Sequence, residues 1–167
     1  MAVHPIRVLP DPVLRDKAKR VPRIDQSIHK LIEDMIDSMH AANGVGLAAP
    51  QIGVSLRVIV IGLPEEEPFA MINPEIVKVT GERRVEEGCL SVPGYRAELT
   101  RSKTVIAKGL GQNGNPMRIK AKDDLLAQAL EHEIDHINGI LYIDHLPSMD
   151  VLVKVDEADY SREKASR

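Results

Sequence analysis

Apolar positions change their period along the 167-residue chain, and each change marks an element. From Asp25 onward, Ile28, Leu31, Ile32, Met35, Met39 and Ala42 recur at helical spacing, which predicts a helix capped by Asp25 and ended by Asn43-Gly44. The middle of the chain reads instead as short, β-branched runs: LRVIVIGL, AMINPEIVKV, RRVEEGCLSV, KTVIAKGL and MRIKA. GLGQNGNP (109–116) fits a hairpin turn between the last two. Helical period returns near Asp123, with Asp123 or Asp124 as cap, and stops at Asn138-Gly139. Pro10, Pro12 and Pro22 keep the first 24 residues extended, and GVGLAAPQIG (44–53) reads as a glycine-rich loop entering a strand. These elements predict an α+β domain in which a buried helix packs against antiparallel strands.

The second helix carries an anomaly. At about 100° per residue, Glu133 falls in the middle of its apolar stripe, among Leu126, Ala129, Leu130 and Ile137. His132 and His136 flank the same stripe, whereas Gln128, Glu131, Asp135 and Asn138 occupy the other arc. A buried carboxylate without a partner is costly, so something must hold Glu133 there.

Composition narrows the options. A hydrophobic content of 43% and a charged content of 28% fit a globular domain with a real core. Aromatic residues are confined to Phe69, Tyr95, Tyr142 and Tyr160, so the core must be aliphatic. A net charge of −3 argues against a nucleic-acid footprint, which would normally be basic, and no direct nucleic-acid specificity is expected. No apolar run has the length of a membrane span, and the charged, proline-punctuated start does not resemble a signal peptide. One cysteine excludes an internal disulfide, and the expected compartment is the reducing cytoplasm.

Three segments carry chemistry. His132-Glu133-Ile134-Asp135-His136 matches H-E-x-x-H, in which histidines one helical turn apart share a cation and the glutamate reaches its water. The plain alternative is two core-edge histidines and a salt-bridged glutamate. A catalytic site needs a third protein ligand, for which Cys89 in EEGCLSVPG competes with Asp144, Asp150 and Glu157. GVGLAAPQIG lacks the lysine of a phosphate-binding loop, leaving either a simple connection or a segment laid against a ligand, with Gln51 as an amide donor.

GVGLAAPQ, EGCLS and HEIDHING, in this order, resemble the three signature motifs of the peptide deformylases, and LPDPVLRDKAKRV, INPEI and GILYIDHL extend the likeness over roughly residues 5 to 147. Ser102 after Arg101 departs from the proline acceptable there. The resemblance implies antiparallel β-sheets packed around a central metal-binding helix, with an N-terminal helix. It also implies a single catalytic domain over 1–147 and a variable polar tail over 148–167. Cys89, His132 and His136 are then the ligands of one divalent metal, Fe²⁺ by preference, with Zn²⁺, Ni²⁺ or Co²⁺ as substitutes. Glu133 becomes the general base and acid, and Gln51 with the Leu90 amide binds the oxyanion. Gly46 lines a peptide cleft, and Val45, Val85, Leu125 and Ala129 surround the methionine side chain. The implied reaction removes the N-formyl group from formyl-methionine at the start of new polypeptides, in the cytoplasm and with transient association with the ribosome. Two rivals stand beside it: a zinc endopeptidase using a downstream acid as third ligand, and a metal-stabilised binding module closed by His145.

Overall fold

A computed structural model describes residues 2–155. The first helix, α1 (Gln26–Ala41), starts as expected: the Asp25 carboxylate accepts from the Ser27 and Ile28 amides. Asn43 takes a left-handed conformation just past its end. The next segment, read from sequence as a loop, instead forms strand β1 (Gly46–Ala48) and a 3-10 turn (Ala49–Ile52). It then reaches strand β2 (Val58–Ile61).

Two long strands follow, β3 (Phe69–Cys89) and β4 (Val92–Leu110), then β5 (Pro116–Lys122). They form one antiparallel sheet in the order β1-β2-β3-β4-β5. The sequence pattern divided β3 at Thr80-Gly81-Glu82, but pairing continues across it, from Thr80↔Thr104 to Glu82↔Ser102. Gly81, at φ +68°, sits inside this constant register, and the register shifts fall elsewhere, at Ile72/Glu75, Ile76/Lys78 and Glu87/Cys89. The second helix, α2 (Leu125–Ile137), is capped by Asp124, whose carboxylate accepts from the Ala127 amide, and ends where Gly139 adopts φ +75°. Beyond a 3-10 turn at Met149–Val151, the short strand β6 (Val153–Lys154) pairs with β4 at Tyr95 and Arg96, so part of the tail region is structured. Residues 156–167, including Glu157 and Tyr160, lie outside the described residues.

The sheet has helices on both faces. Val58 and Val60 of β2 pack with Ile28, Ile32, Met35 and Met39 of α1. Ile59 and Ile61 turn the other way, toward Leu130, Ile134 and Ile137 of α2. That is why β2 is an unbroken β-branched run: neither face meets water.

Candidate metal centre and its cleft

Cys89 closes β3, one residue before the tight turn into β4, and is buried against α2. Helical spacing brings His132 and His136 to the same side of α2. One donor atom from each of Cys89, His132 and His136 lies within 4.8 Å of the others. Cys89 Sγ is 3.3 Å from His136 Nε2, which is 3.2 Å from His132 Nε2. Among the described residues this is the group of metal-type donors that converges. Asp144 is taken up elsewhere, by Arg15 at 2.6 Å and the Leu141 amide at 2.9 Å, and Asp150 is exposed. His145 bonds Asp135 and is not part of the cluster.

The electrostatics suit a cation. Burial pushes the Cys89 thiol up, but the charge of His136 and hydrogen bonds from both imidazoles outweigh it and hold the thiol well below its ordinary value. Burial acts on His132 in the opposite sense to the charges around it: Glu133, the Cys89 sulfur and Glu87 push it well up. The cluster thus favours a thiolate beside concentrated positive charge, which a divalent ion supplies. A thiolate and two imidazoles also form the three-ligand set that leaves one coordination position for a reactant.

Glu133 lies beside this cluster, 5% exposed, and its Oε1 has no hydrogen-bond partner among the described residues. Burial pushes its carboxyl up, against the pull of His132 and His136. The opposite wall is Gly46, where an added Cβ would lie 2.5 Å from Glu133 Oε2 and 3.0 Å from Cδ and Cγ. Strand β1 therefore needs a glycine here to let the carboxylate stand between it and the histidines. Gln51 is oriented by the backbone three residues before it: its Oε1 accepts from the Ala48 amide at 3.0 Å, which turns Nε2 toward Ser91 Oγ at 3.1 Å and Cys89 Sγ at 3.8 Å.

A supporting layer escaped the sequence reading. His132 Nδ1 bonds Glu87 Oε1, which fixes the ring and turns Nε2 toward the thiol. Glu87 is itself gripped at two points by Arg101, through Nε at 2.8 Å and a terminal nitrogen at 2.7 Å. Burial alone would raise the Glu87 carboxyl, but Arg101 and His132 hold it far below the usual carboxylate range. A further Arg101 nitrogen reaches Asp135 at 2.8 Å, and Asp135 also bonds His145 at 2.8 Å. The signal for Arg101 was present: Ala97, Leu99 and Arg101 share the buried face of β4, so a charge there needs buried partners. Next to it, the Ser102 amide and hydroxyl bond the Glu131 carboxylate at 2.7 and 3.1 Å, a bond from the main chain that a proline could not make.

A cleft of about 140 Å³ opens onto this centre. Its lining includes Val45, Gly46, Gln51, Cys89, Leu90, Leu125, Ala129, His132 and Glu133, all singled out from sequence, and also Asn43, Gly44, Gln128 and Arg96. His136 sits deeper. Val85 is outside the lining: it pairs with Leu99 and packs on the cluster formed by Cys89, Ala97, Leu99 and Tyr142. Alternation along β3 turns it toward that cluster and not toward open space.

The model of the polypeptide deformylase family matches residues 3–151. The chain belongs to this family. A peptide deformylase of Dehalococcoides mccartyi (strain CBDB1) is 57% identical over 160 residues, covering 95% of each chain. Among solved structures, a peptide deformylase from Legionella pneumophila superimposes with a TM-score of 0.86 at 45% identity, covering 99% of this chain and 94% of that one. A peptide deformylase from Synechococcus elongatus in complex with actinonin gives a TM-score of 0.82 at 41% identity, over 86% of this chain and 79% of that one. Two helices and an antiparallel sheet are therefore the fold of the family. The endopeptidase and binding-module alternatives fall away with this match.

Proposed function

We propose that Cys89, His132 and His136 hold one divalent ion, Fe²⁺ in the first place with Zn²⁺, Ni²⁺ or Co²⁺ as substitutes, and that Glu133 moves the proton. As a family member the chain is a metal-dependent hydrolase that removes the N-formyl group from the N-terminal formyl-methionine of new polypeptides and releases formate. The observation that carries the residue assignment is the buried, unpartnered Glu133 Oε1 beside the Cys/His/His cluster. The ion supplies Lewis acidity, polarising a carbonyl and bringing the pKa of water toward neutrality.

The chain's own groups do the rest. Glu133 accepts the proton of the attacking water and delivers it to the leaving amine, a task helped by a carboxyl that burial has already raised. Gln51 Nε2 and the Leu90 amide donate to the oxyanion of the tetrahedral intermediate, each worth about 3 kcal/mol. Glu87, locked by Arg101, keeps the His132 ring from turning. Gly46 lets the peptide backbone approach, and Val45, Leu125 and Ala129 receive the methionine side chain, while Val85 backs Cys89. The catalytic domain spans 1–147 and the polar tail 148–167. No helix among the described residues is long and apolar enough to cross a membrane. The setting proposed is the cytoplasm, with transient association with the ribosome.

The test pairs formate release from a formyl-methionyl dipeptide with metal content, on protein loaded anaerobically with Fe²⁺. Glu133→Ala keeps one ion per chain and loses about 10²–10⁴ in kcat. A variant that is metal-loaded and fully active would make Glu133 structural; one that loses its ion would make it a ligand.

A further inference from the structure

The outer face of the β3–β4–β5 sheet, away from α2, collects positive charge in a chain whose net charge is −3. Cross-strand pairing sets three rows: Glu75–Lys108–Arg118, Lys78–Ile106–Lys120 and Thr80–Thr104–Lys122. Along β5 the alternation is strict, with Arg118, Lys120 and Lys122 outward and exposed, and Met117, Ile119 and Ala121 turned to the core. Lys78 and Lys108 are exposed as well. The one carboxylate in these rows is Glu75, taken by Lys108 at 3.1 Å. Among the described residues, Lys78, Arg118, Lys120 and Lys122 take part in no ion pair. At one corner a groove of about 570 Å³ adds Arg20 beside Lys108 and Arg118.

We infer that this face docks the phosphate backbone of RNA. Along β5 the outward cations Arg118, Lys120 and Lys122 follow one another about 7 Å apart, Lys108 lies directly opposite Arg118, and Lys78 lies two strands from Lys120 with Ile106 between them. Lys78, Arg118, Lys120 and Lys122 thus present a row of cations with one further cation beside it on a single exposed face, a footprint that a polyanion lying along β5 neutralises. Such a contact reads charge and not base sequence, in keeping with a chain poor in exposed aromatic rings. A lipid surface fits less well, because the rows hold no aromatic anchor and their single large apolar side chain, Ile106, is half-buried. The placement also suits catalysis. The opposite face of these strands, through Val105, Ala107 and Ala121, packs on α2, and the cleft opens beyond α2 at Leu125, Ala129 and Glu133. Docking through the sheet therefore leaves the cleft free for a peptide N-terminus. This inference rests on the reading that the substrate is a nascent chain, which emerges from an RNA-rich particle.

The test measures binding of the metal-loaded protein to labelled oligouridylate across a salt series, with phosphatidylserine vesicles as a second probe. Four contacts give a slope of log K against log salt of about −2.8, or a loss of about 50-fold between 50 and 200 mM. Replacing Arg118, Lys120 and Lys122 together by alanine leaves one contact and cuts the slope to about −0.7. The same variant hydrolyses a short formyl-methionyl peptide as fast as the parent and melts at the same temperature. No binding by the parent, or an unchanged slope in the variant, overturns the proposal, as does tighter binding to vesicles than to RNA. A parent that binds RNA but does not hydrolyse the peptide instead overturns the catalytic reading and leaves this one standing.

Discussion

A single hydrogen atom at Gly46 decides where the Glu133 carboxylate can stand. A Cβ there meets Oε2 at 2.5 Å and the carboxylate stem at 3.0 Å, so Gly46→Ala must push Glu133 off its position between β1 and the histidines. The displaced group is not one of the cluster donors, so metal content should stay at one per chain. A misplacement on the order of 1 Å costs roughly 10²-fold in rate, and kcat should fall by about that factor. Measuring kcat and bound metal on one preparation decides it: unchanged kcat would mean that Glu133 has room to relocate without loss, and that its geometry here is not the reactive one.

At the scale of elements, the sequence was most legible where a period and a cap agreed. Asp25 and Asp124 cap the two helices, and Asn43 and Gly139 adopt the left-handed conformations that stop them. The cluster was legible for the same reason, since i, i+4 spacing alone brings His132 and His136 together. What the pattern hid was pairing over distance. Nothing local says that β3 runs for 21 residues, because its continuity is set by pairing with β4, which keeps one register from Lys78 to Glu87. The Glu87–Arg101–Asp135 layer was hidden too, since its members lie on three different elements and show only as charges on buried faces. Ser102 belongs with them: its amide and hydroxyl tie β4 to Glu131, next to His132. Ser102→Pro removes the amide donor and leaves a part-buried carboxylate oxygen short of a partner, at about 1–3 kcal/mol. The melting temperature should drop by several degrees, whereas Ser102→Ala, which keeps the amide, should lose less. Equal losses in the two variants would show that the hydroxyl, and not the main chain, carries the tie.

Across the whole molecule, two tie-points join parts distant in sequence, and each makes stability depend on solution conditions. Asp34 on α1 holds the N-terminal arm through the Ala2 amide at 2.8 Å and His4 at 3.1 Å, with Lys30 at 3.3 Å. Burial raises its carboxyl, but these partners win and hold it at about 2, below the 3.8 of an unfolded chain. A depressed folded pKa contributes stability that is complete above about pH 4 and fades as pH falls toward 2. The melting difference between parent and Asp34→Asn should therefore shrink over that interval, and a constant difference would deny the linkage. The second tie-point is the Cys89, His132 and His136 cluster, which joins the end of β3 to α2. An ion that binds the folded arrangement and not the unfolded chain stabilises by about 4 kcal/mol at a thousandfold excess over its dissociation constant. For a chain of this length that corresponds to about 8–16 °C in melting temperature. Chelation should lower the midpoint by that amount, and adding back Zn²⁺ or Ni²⁺ should restore it in proportion to the logarithm of the free ion concentration. Cys89→Ala leaves only two imidazoles, so its midpoint should no longer respond to either treatment. If the parent melts at one temperature with and without chelator, the cluster is not the link between sheet and helix. If Cys89→Ala still responds in full, the thiol is not a ligand, and the ion sits elsewhere.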